Sequence, residues 1–384
     1  MDVASGLPLD HLDRLTDSTG LLQHAIYSIP RRQSGYTTDD NARALRLCAH
    51  LWSERPNEQM LRRVNCYLSF LEHARCPVRG FHNFLSYQRD WLDAAGTGDC
   101  QGQAVLALAE VLASPLPDGY HLLARELVDA VLPALADLRS LRAQAYVILA
   151  WGHLWRAGAD DIGSIENVAR LAAQRLVDCF HRSQRPDWPW FESRLTYANA
   201  VLPHALFDAA ERWPEDAFLA VAESSFTFLD LVTTADDIFW PVGNRDWYSH
   251  GEDKALYDQQ PVEAATMAGA ALAAFRLQGD QNYLATFRRA HRWFHGRNSL
   301  EQPLADRRCG ACFDGLQPAG INHNQGAEST LAYLWTELLN AEVQQGNAAT
   351  QRAHLRAGPP LALSSPVSLV ADTGGILLTE DMLE

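Results

Sequence analysis

Two kinds of apolar pattern alternate along the chain. In the first, apolar residues recur every three to four positions and leave one charged face: Glu58–Ala74, Leu122–Leu138, Ile165–Phe180, Pro214–Leu231 and Asn282–Phe294. Such stripes predict helices packed on a core along one side. The second kind is apolar nearly all round and rich in Ala: Asp40–Leu51, Gln101–Val111, Leu141–Leu154, Tyr197–Ala210, Pro261–Phe275 and Gly326–Leu339. A helix with no polar face is a buried one. The starts of the buried helices recur about every 40 to 65 residues, the spacing of helical repeat arrays. Strand-type alternation is nearly absent. Six buried helices, each preceded by a roughly amphipathic one, predict an all-α fold: a six-hairpin α/α barrel of two concentric layers. An open solenoid is the alternative. We place the barrel over residues 1–357. From Gly358 the composition shifts to Pro, Gly and Ser, which reads as a C-terminal tail over 358–384.

The buried helices begin in polar clusters. These include Asp39-Asp40-Asn41 with Arg43, Asp99 with Gln101, Asn199 after Tyr197, Asp258-Gln259-Gln260 with Glu263, and Asn324-Gln325 with Glu328. One side chain suffices to cap a helix, and Asp, Asn, Ser and Thr are the usual caps. Three or four polar groups at one buried start exceed that need, and buried polar groups must find partners. A barrel gathers all six inner starts at one end, which predicts a shared polar pocket there. The loops leading to that end are aromatic: His82 with Arg89 and Trp91, Trp190 before Glu192, and Asn244 with Asp246-Trp247-Tyr248. Flat rings beside carboxylates and amides suit a sugar, whose C–H face stacks while its hydroxyls take fixed partners. For each ring taken singly, core packing explains it equally well.

Cleaving a glycosidic bond needs two carboxyl groups flanking it, one to protonate the leaving oxygen and one to activate water or attack directly. The catalytic candidates are Asp40, Asp99, Asp258, Glu192 and Glu328. Asp39, Arg43, His82, Arg89, Trp91, Trp190, Asn199, Asn244, Asp246, Trp247, Tyr248, Gln259, Gln260, Glu263, Asn324 and Gln325 are candidates for binding substrate. His24, His82, His250 and His323, all in or near mouth loops, offer a second chemistry. A pair of them could shuttle a proton on an opened sugar, as in an epimerase or isomerase.

The net charge of −15 disfavours nucleic acid and anionic membranes as partners and leaves a neutral sugar compatible. The seven cysteines are scattered without a disulfide framework, and Cys309 and Cys312, a CxxC, lack two further ligands at zinc spacing. No metal or cofactor is expected. The first residues show no signal-peptide pattern and no window is apolar enough to span a bilayer, so a cytoplasmic location is expected.

The segments His24–Leu45 (HAIYSIPRRQSGYTTDDNARAL), Gly96–Val111, Trp188–Leu206, Gly243–Ala264 and Cys312–Leu334 resemble a group of bacterial six-hairpin, glycosidase-like proteins. Members of that group are often fused to, or described as, glycosyltransferases. The resemblance implies carbohydrate metabolism and a possible glycosyltransferase partner. The chain itself lacks the strand–helix alternation of a nucleotide-sugar transferase. The reading is a glycoside hydrolase acting on a bacterial oligo- or polysaccharide through two carboxylates. A histidine-based sugar epimerase or isomerase is one alternative, and a non-catalytic carbohydrate-binding partner of a glycosyltransferase is another.

Overall fold

A computed structural model describes residues 6–76, 79–159, 163–214 and 217–357. The tail expected over 358–384 lies outside the described residues. By contacts the chain divides after Ala341. Residues up to that point carry the barrel, and the following unit, as far as it is described, continues a helix to Ala357.

The inner helices are α2 (Thr38–Glu54), α4 (Gly98–Ala113), α6 (Leu141–Arg156), α8 (Val201–Arg212), α10 (Pro261–Gln278) and α12 (Ala327–Ala357). The outer ones are α3 (Glu58–His73), α5 (Asp118–Ala136), α7 (Gly163–Ser183), α9 (Phe218–Val232) and α11 (Gln281–Phe294). A short helix that the apolar pattern does not predict, α1 (Asp10–Leu15), precedes them. Each inner helix from α2 to α10 packs on the outer helix that follows it, and successive inner helices pack on each other from α2 round to α10. An ion pair between Arg43 of α2 and Glu328 of α12 brings the last inner helix back against the first, so the ring closes and is not an open solenoid.

The sequence signals for these helices are local. Thr37, Thr97 and Ser140 cap α2, α4 and α6 by accepting from the backbone N–H groups of Asp40, Cys100 and Ala143. Pro261 opens α10, where its missing N–H costs nothing, and Gly279 ends it in the left-handed conformation. Ala at 104, 107 and 109 of α4, at 145 and 150 of α6 and at 264, 268 and 271 of α10 is fully buried, which lets the inner backbones approach closely. No described helix is long and apolar enough to cross a membrane.

The fourth inner helix departs from its expected start: it begins at Val201, not Tyr197. Asn199 folds its side chain back, accepting from Thr196 N and donating to Thr196 O, and Ala198 takes a positive φ of 45°. That turn outcompetes helix over Tyr197–Ala200. The near-absence of strands holds only for long ones. Among the described residues, twelve strands of two or three residues pair antiparallel in the connecting loops.

Candidate active site

The starts of α4, α6, α8 and α10 touch one another in sequence, and polar groups there serve that contact. Asp99 of α4 accepts from Ser140 Oγ at the start of α6 and from the Tyr197 hydroxyl. Arg142 of α6, buried, donates to Tyr197 O at 2.5 Å, Thr196 Oγ1 at 2.7 Å and Glu192 Oε2 at 3.0 Å. Glu263 of α10 accepts from Ala198 N at 2.5 Å and from Asn199 Nδ2 at 3.2 Å. Burial drives the Glu263 carboxyl up to about 7 despite these donors. Asp99, Glu192, Asn199 and Glu263 therefore brace the α4, α6, α8 and α10 starts and lie outside the lining of the cavity described next. Replacing Arg142 by Met should cost about 3–5 kcal/mol, because Glu192 loses its cation and the Tyr197 carbonyl its donor. Urea unfolding measures this, and a loss below about 1 kcal/mol would show the brace to be dispensable.

On the remaining side, the starts of α2, α10 and α12 enclose a cavity of about 380 Å³. That volume falls within the range of about 300–1,000 Å³ usual for small-molecule sites. Five carboxyl groups line it, those of Asp39, Asp40, Asp258, Asp314 and Glu328, with the amides of Gln23, Asn244, Gln259, Gln260, Gln317 and Asn322 and one imidazole, His24. Below it a small apolar-walled space of about 90 Å³ is lined by Arg43, Tyr146 and Trp335 among others, and Glu328 borders both.

Arg43 organises the acidic wall. Its guanidinium lies 2.9 Å from Asp40, 3.6 Å from Asp39 and 3.3 Å from Glu328. Burial is nevertheless the largest influence on Asp40 and, with the charge of Asp39, raises its carboxyl to about 7 against the pull of Arg43. Burial raises Glu328 as well. The two differ in access: the Asp40 side chain is 5% exposed and also accepts from Thr37 Oγ1, whereas that of Glu328 is 41% exposed. Asp314 is occupied by Gly326 N at 2.8 Å. Asp258 is the least engaged. Its nearest cation, Arg245, is 3.7 Å away, and its Oδ1 has no hydrogen-bond partner among the described residues.

The loop bearing Asp258 is held between two glycines. A β-carbon on Gly243 would fall 1.9 Å from Tyr257 O, and one on Gly315 would fall 2.1 Å from Gln259 O. Gly315 also has a φ of +147°, a conformation that side chains rarely adopt. Gln259 pairs through both backbone groups with Leu316, which ties the loop to the hairpin of β11 (Gly315–Gln317) and β12 (Gly320–Asn322). Gly243→Ala should thus displace Asp258 and lower affinity for a cavity ligand by about tenfold or more while the helical spectrum is retained. An unchanged affinity would show that the loop yields freely.

The other expected site residues are dispersed. Trp190 is fully buried against Phe191, and Trp188, also buried, packs on Phe228 and the edge of Tyr248. Trp91 stacks on His82, whose Nδ1 bonds Asp93 O. Arg89 lines a wider, shallow groove over α3. Asp246 offers its carbonyl to Arg194, Trp247 occupies a turn with positive φ, and Tyr248 lies in the strand pair with Arg194–Leu195. Asn324 Oδ1 accepts from Tyr27 N, and Gln325 is buried with its carbonyl bonded by His11. Of the four mouth histidines only His24 reaches the cavity. His250 meets Asp187, and His323 packs edge-on against Phe313. The expected aromatic platform is absent, since no Trp, Tyr or Phe is among the described residues lining the cavity. Trp188 and Trp190 pack into the wall because their apolar area gains more there than at a wet mouth. Gln23, Asp314, Gln317, Asn322 and Ser329 line the cavity without being among the site candidates, although Asn322 and Ser329 belong to the polar run at the sixth inner start. The other signal for them is Asp314-Gly315, a turn dipeptide leading into an inner helix.

No protein-family model and no curated protein matches the sequence. Solved structures share its fold. A cellobiose 2-epimerase from Bacillus thermoamylovorans B4167 aligns at a TM-score of 0.68 with 12% identity, covering 88% of this chain and 97% of that one. A D-mannose isomerase aligns at 0.65 with 13% identity over 88% and 96%. A GH76 alpha-mannanase from Bacteroides thetaiotaomicron aligns at 0.61 with 11% identity over 87% and 93%. The fold is thus the six-hairpin α/α barrel, a scaffold that epimerases, isomerases and glycoside hydrolases share.

Proposed function

We propose that this protein is a carbohydrate-active enzyme that binds a neutral sugar in the cavity and cleaves a glycosidic bond with two carboxyl groups. The observation that carries the reading is the lining itself: five carboxyls and six amides around a sugar-sized space, with Asp258 left free to engage a ligand. Glu328, raised by burial and open to the cavity, is the general acid that protonates the leaving oxygen. Asp258 activates water or attacks the anomeric carbon. Asp40 acts through Arg43, holding the guanidinium where it sets the charge on Glu328. The amides of Asn244, Gln259 and Gln260 orient the hydroxyls. The proposed link to a glycosyltransferase rests on the sequence resemblance alone.

A second reading is sugar epimerisation or isomerisation, favoured by the fold matches, whose TM-scores are higher for a cellobiose 2-epimerase and a mannose isomerase than for the mannanase. Here His24 and a lining carboxyl would exchange the proton at the carbon next to the carbonyl of an opened sugar. Incubating the purified chain in deuterated water with neutral oligosaccharides and free aldoses separates the two. New reducing ends without carbon-bound deuterium support hydrolysis. Deuterium at carbon 2 of an otherwise intact sugar overturns it in favour of the second reading. Sugar binding with neither change overturns both and leaves a binding module.

A further inference from the structure

Away from the cavity, on the flank where α11 packs beside α12, three metal-binding side chains converge. His291 lies in the last turn of α11 and His295, four residues on, is the C-cap residue just beyond it, which keeps both imidazoles on the same side of the helix end. Glu337 comes from α12. The His291 and His295 Nε2 atoms lie 3.0 and 2.7 Å from the same Glu337 Oε1 and 3.3 Å from each other. The three side chains are 16%, 21% and 14% exposed, so the group is enclosed but reachable from solvent. Ring packing fixes their directions: Phe287 stacks parallel to His291, and Tyr333 meets His295 edge-on.

The 3.3 Å between the two imidazole nitrogens is the separation a tetrahedral centre requires, and Glu337, at 3.0 and 2.7 Å, would need to draw back by only about 0.3–0.6 Å to complete it. Metal–ligand bonds of about 2.0–2.1 Å at tetrahedral angles set neighbouring ligand atoms roughly 3.3 Å apart. Protons satisfy the same triangle poorly. If both Nε2 atoms carry hydrogen, Glu337 Oε1 can accept from both, but two donors then face each other at 3.3 Å with no acceptor between them. If one is bare, its lone pair faces a hydrogen already given to the carboxylate. A cation accepting all three lone pairs removes the conflict and places the imidazole hydrogens on Nδ1.

We infer that His291, His295 and Glu337 form a site for one divalent transition metal of the zinc class, with water as the fourth ligand, pinning outer helix α11 to inner helix α12. Two imidazoles and a carboxylate suit zinc over magnesium or calcium, which take oxygen donors. The net charge of −15 concentrates cations around the molecule. The pin sits where the ring closes, at the last inner helix.

The test uses the full chain without an affinity tag, stripped with chelator, dialysed and titrated with zinc chloride by calorimetry and by melting curves. The expected result is one zinc bound per chain with a raised melting temperature. His295→Gln and Glu337→Gln should each weaken zinc binding at least about a hundredfold, more than loss of an outer-sphere partner costs. A double Cys309→Ser, Cys312→Ser variant should leave it unchanged, which separates this site from the CxxC pair. Circular dichroism confirms that each variant is folded, and the two Gln variants sit on different elements, the end of α11 and the middle of α12, so misfolding of one leaves the other to decide. Zinc binding that persists in both Gln variants, or no saturable binding by the folded wild type, would overturn the proposal. A melting temperature that responds to the variants but not to zinc would also overturn it, reducing the cluster to an ordinary ion pair.

Discussion

Asp258→Asn is expected to lower turnover of the sugar substrate by about 10²–10⁴-fold, the usual loss when a positioned acid or base is removed. The substitution keeps the side-chain shape. Its loop is held independently by the pairing of Gln259 with Leu316 and by the close approach of Gly243 to Tyr257, so the fold should survive unchanged. What disappears is the negative charge that makes the side chain basic enough to take the proton from water or nucleophilic enough to attack carbon. The fall should therefore appear in kcat, with KM nearly constant. Glu328→Gln is the companion measurement. A general acid matters most when the leaving group is poor, so an activated aryl glycoside should recover much of the rate lost by that variant and little of the rate lost by Asp258→Asn. If Asp258→Asn instead raises KM about tenfold and leaves kcat intact, Asp258 only binds a hydroxyl and the two-carboxylate reading fails.

The second large effect is on stability against pH, through Asp40. Its carboxyl is raised to about 7 in the folded protein, by burial first and by the charge of Asp39 next. An unfolded Asp titrates at about 3.9. Between those values the folded state binds more protons than the unfolded one, so stability falls as pH rises. The contribution is fully present below about pH 4 and is lost as pH passes through about 7. Its size is on the order of a few kcal/mol, since a tenfold change in proton affinity on folding corresponds to about 1.4 kcal/mol. Asn mimics the protonated form at every pH. Asp40→Asn should thus equal or slightly trail the wild type at pH 5 and exceed it by up to a few kcal/mol at pH 8. Glu263, raised to about 7 by burial, acts in the same direction but in both proteins, so it cancels in the difference. His153 and His204, lowered to about 4 by burial, oppose it in both and cancel likewise. Urea unfolding at the two pH values decides the matter. A difference between variant and wild type that does not change with pH would mean that Asp40 is ionised throughout, with Arg43 outweighing burial.

Such a mixed acidic wall explains why hydrolysis and proton exchange at carbon are both chemically open to this scaffold. A carboxyl near neutrality, as burial makes Asp40, can give or take a proton under ordinary conditions. The lone histidine of the lining, His24, stands beside the acidic wall, and its charge is among the influences that lower Glu328.

The two-layer barrel was legible along the chain because its cause is local. All-apolar segments such as Gln101–Val111 and Pro261–Phe275 have no face that water could tolerate, so they must be interior, and striped segments such as Asn282–Phe294 must flank them. The presence of polar groups at the inner starts was equally visible. Their use was not. Asp99, Glu192, Asn199 and Glu263 stand at or near inner-helix starts just as Asp40, Asp258 and Glu328 do, yet the first group braces neighbouring helices and the second lines a cavity. Whether a carboxylate meets a backbone N–H or open space depends on which start stands next to it around the ring, and on how long a loop intervenes. The same holds for the aromatics: Trp190 reads as a platform in its loop and becomes a wall once Phe191 and Phe228 arrive beside it. The His291–His295–Glu337 cluster joins residues more than forty positions apart, and neither the i,i+4 histidine pair nor the lone glutamate signals a ligand set by itself. Apolar periodicity therefore determined the layers, because burial is a property each segment carries alone. The partners of each charge were decided only by closure of the ring, because an ion pair or a cavity is a property of two segments meeting.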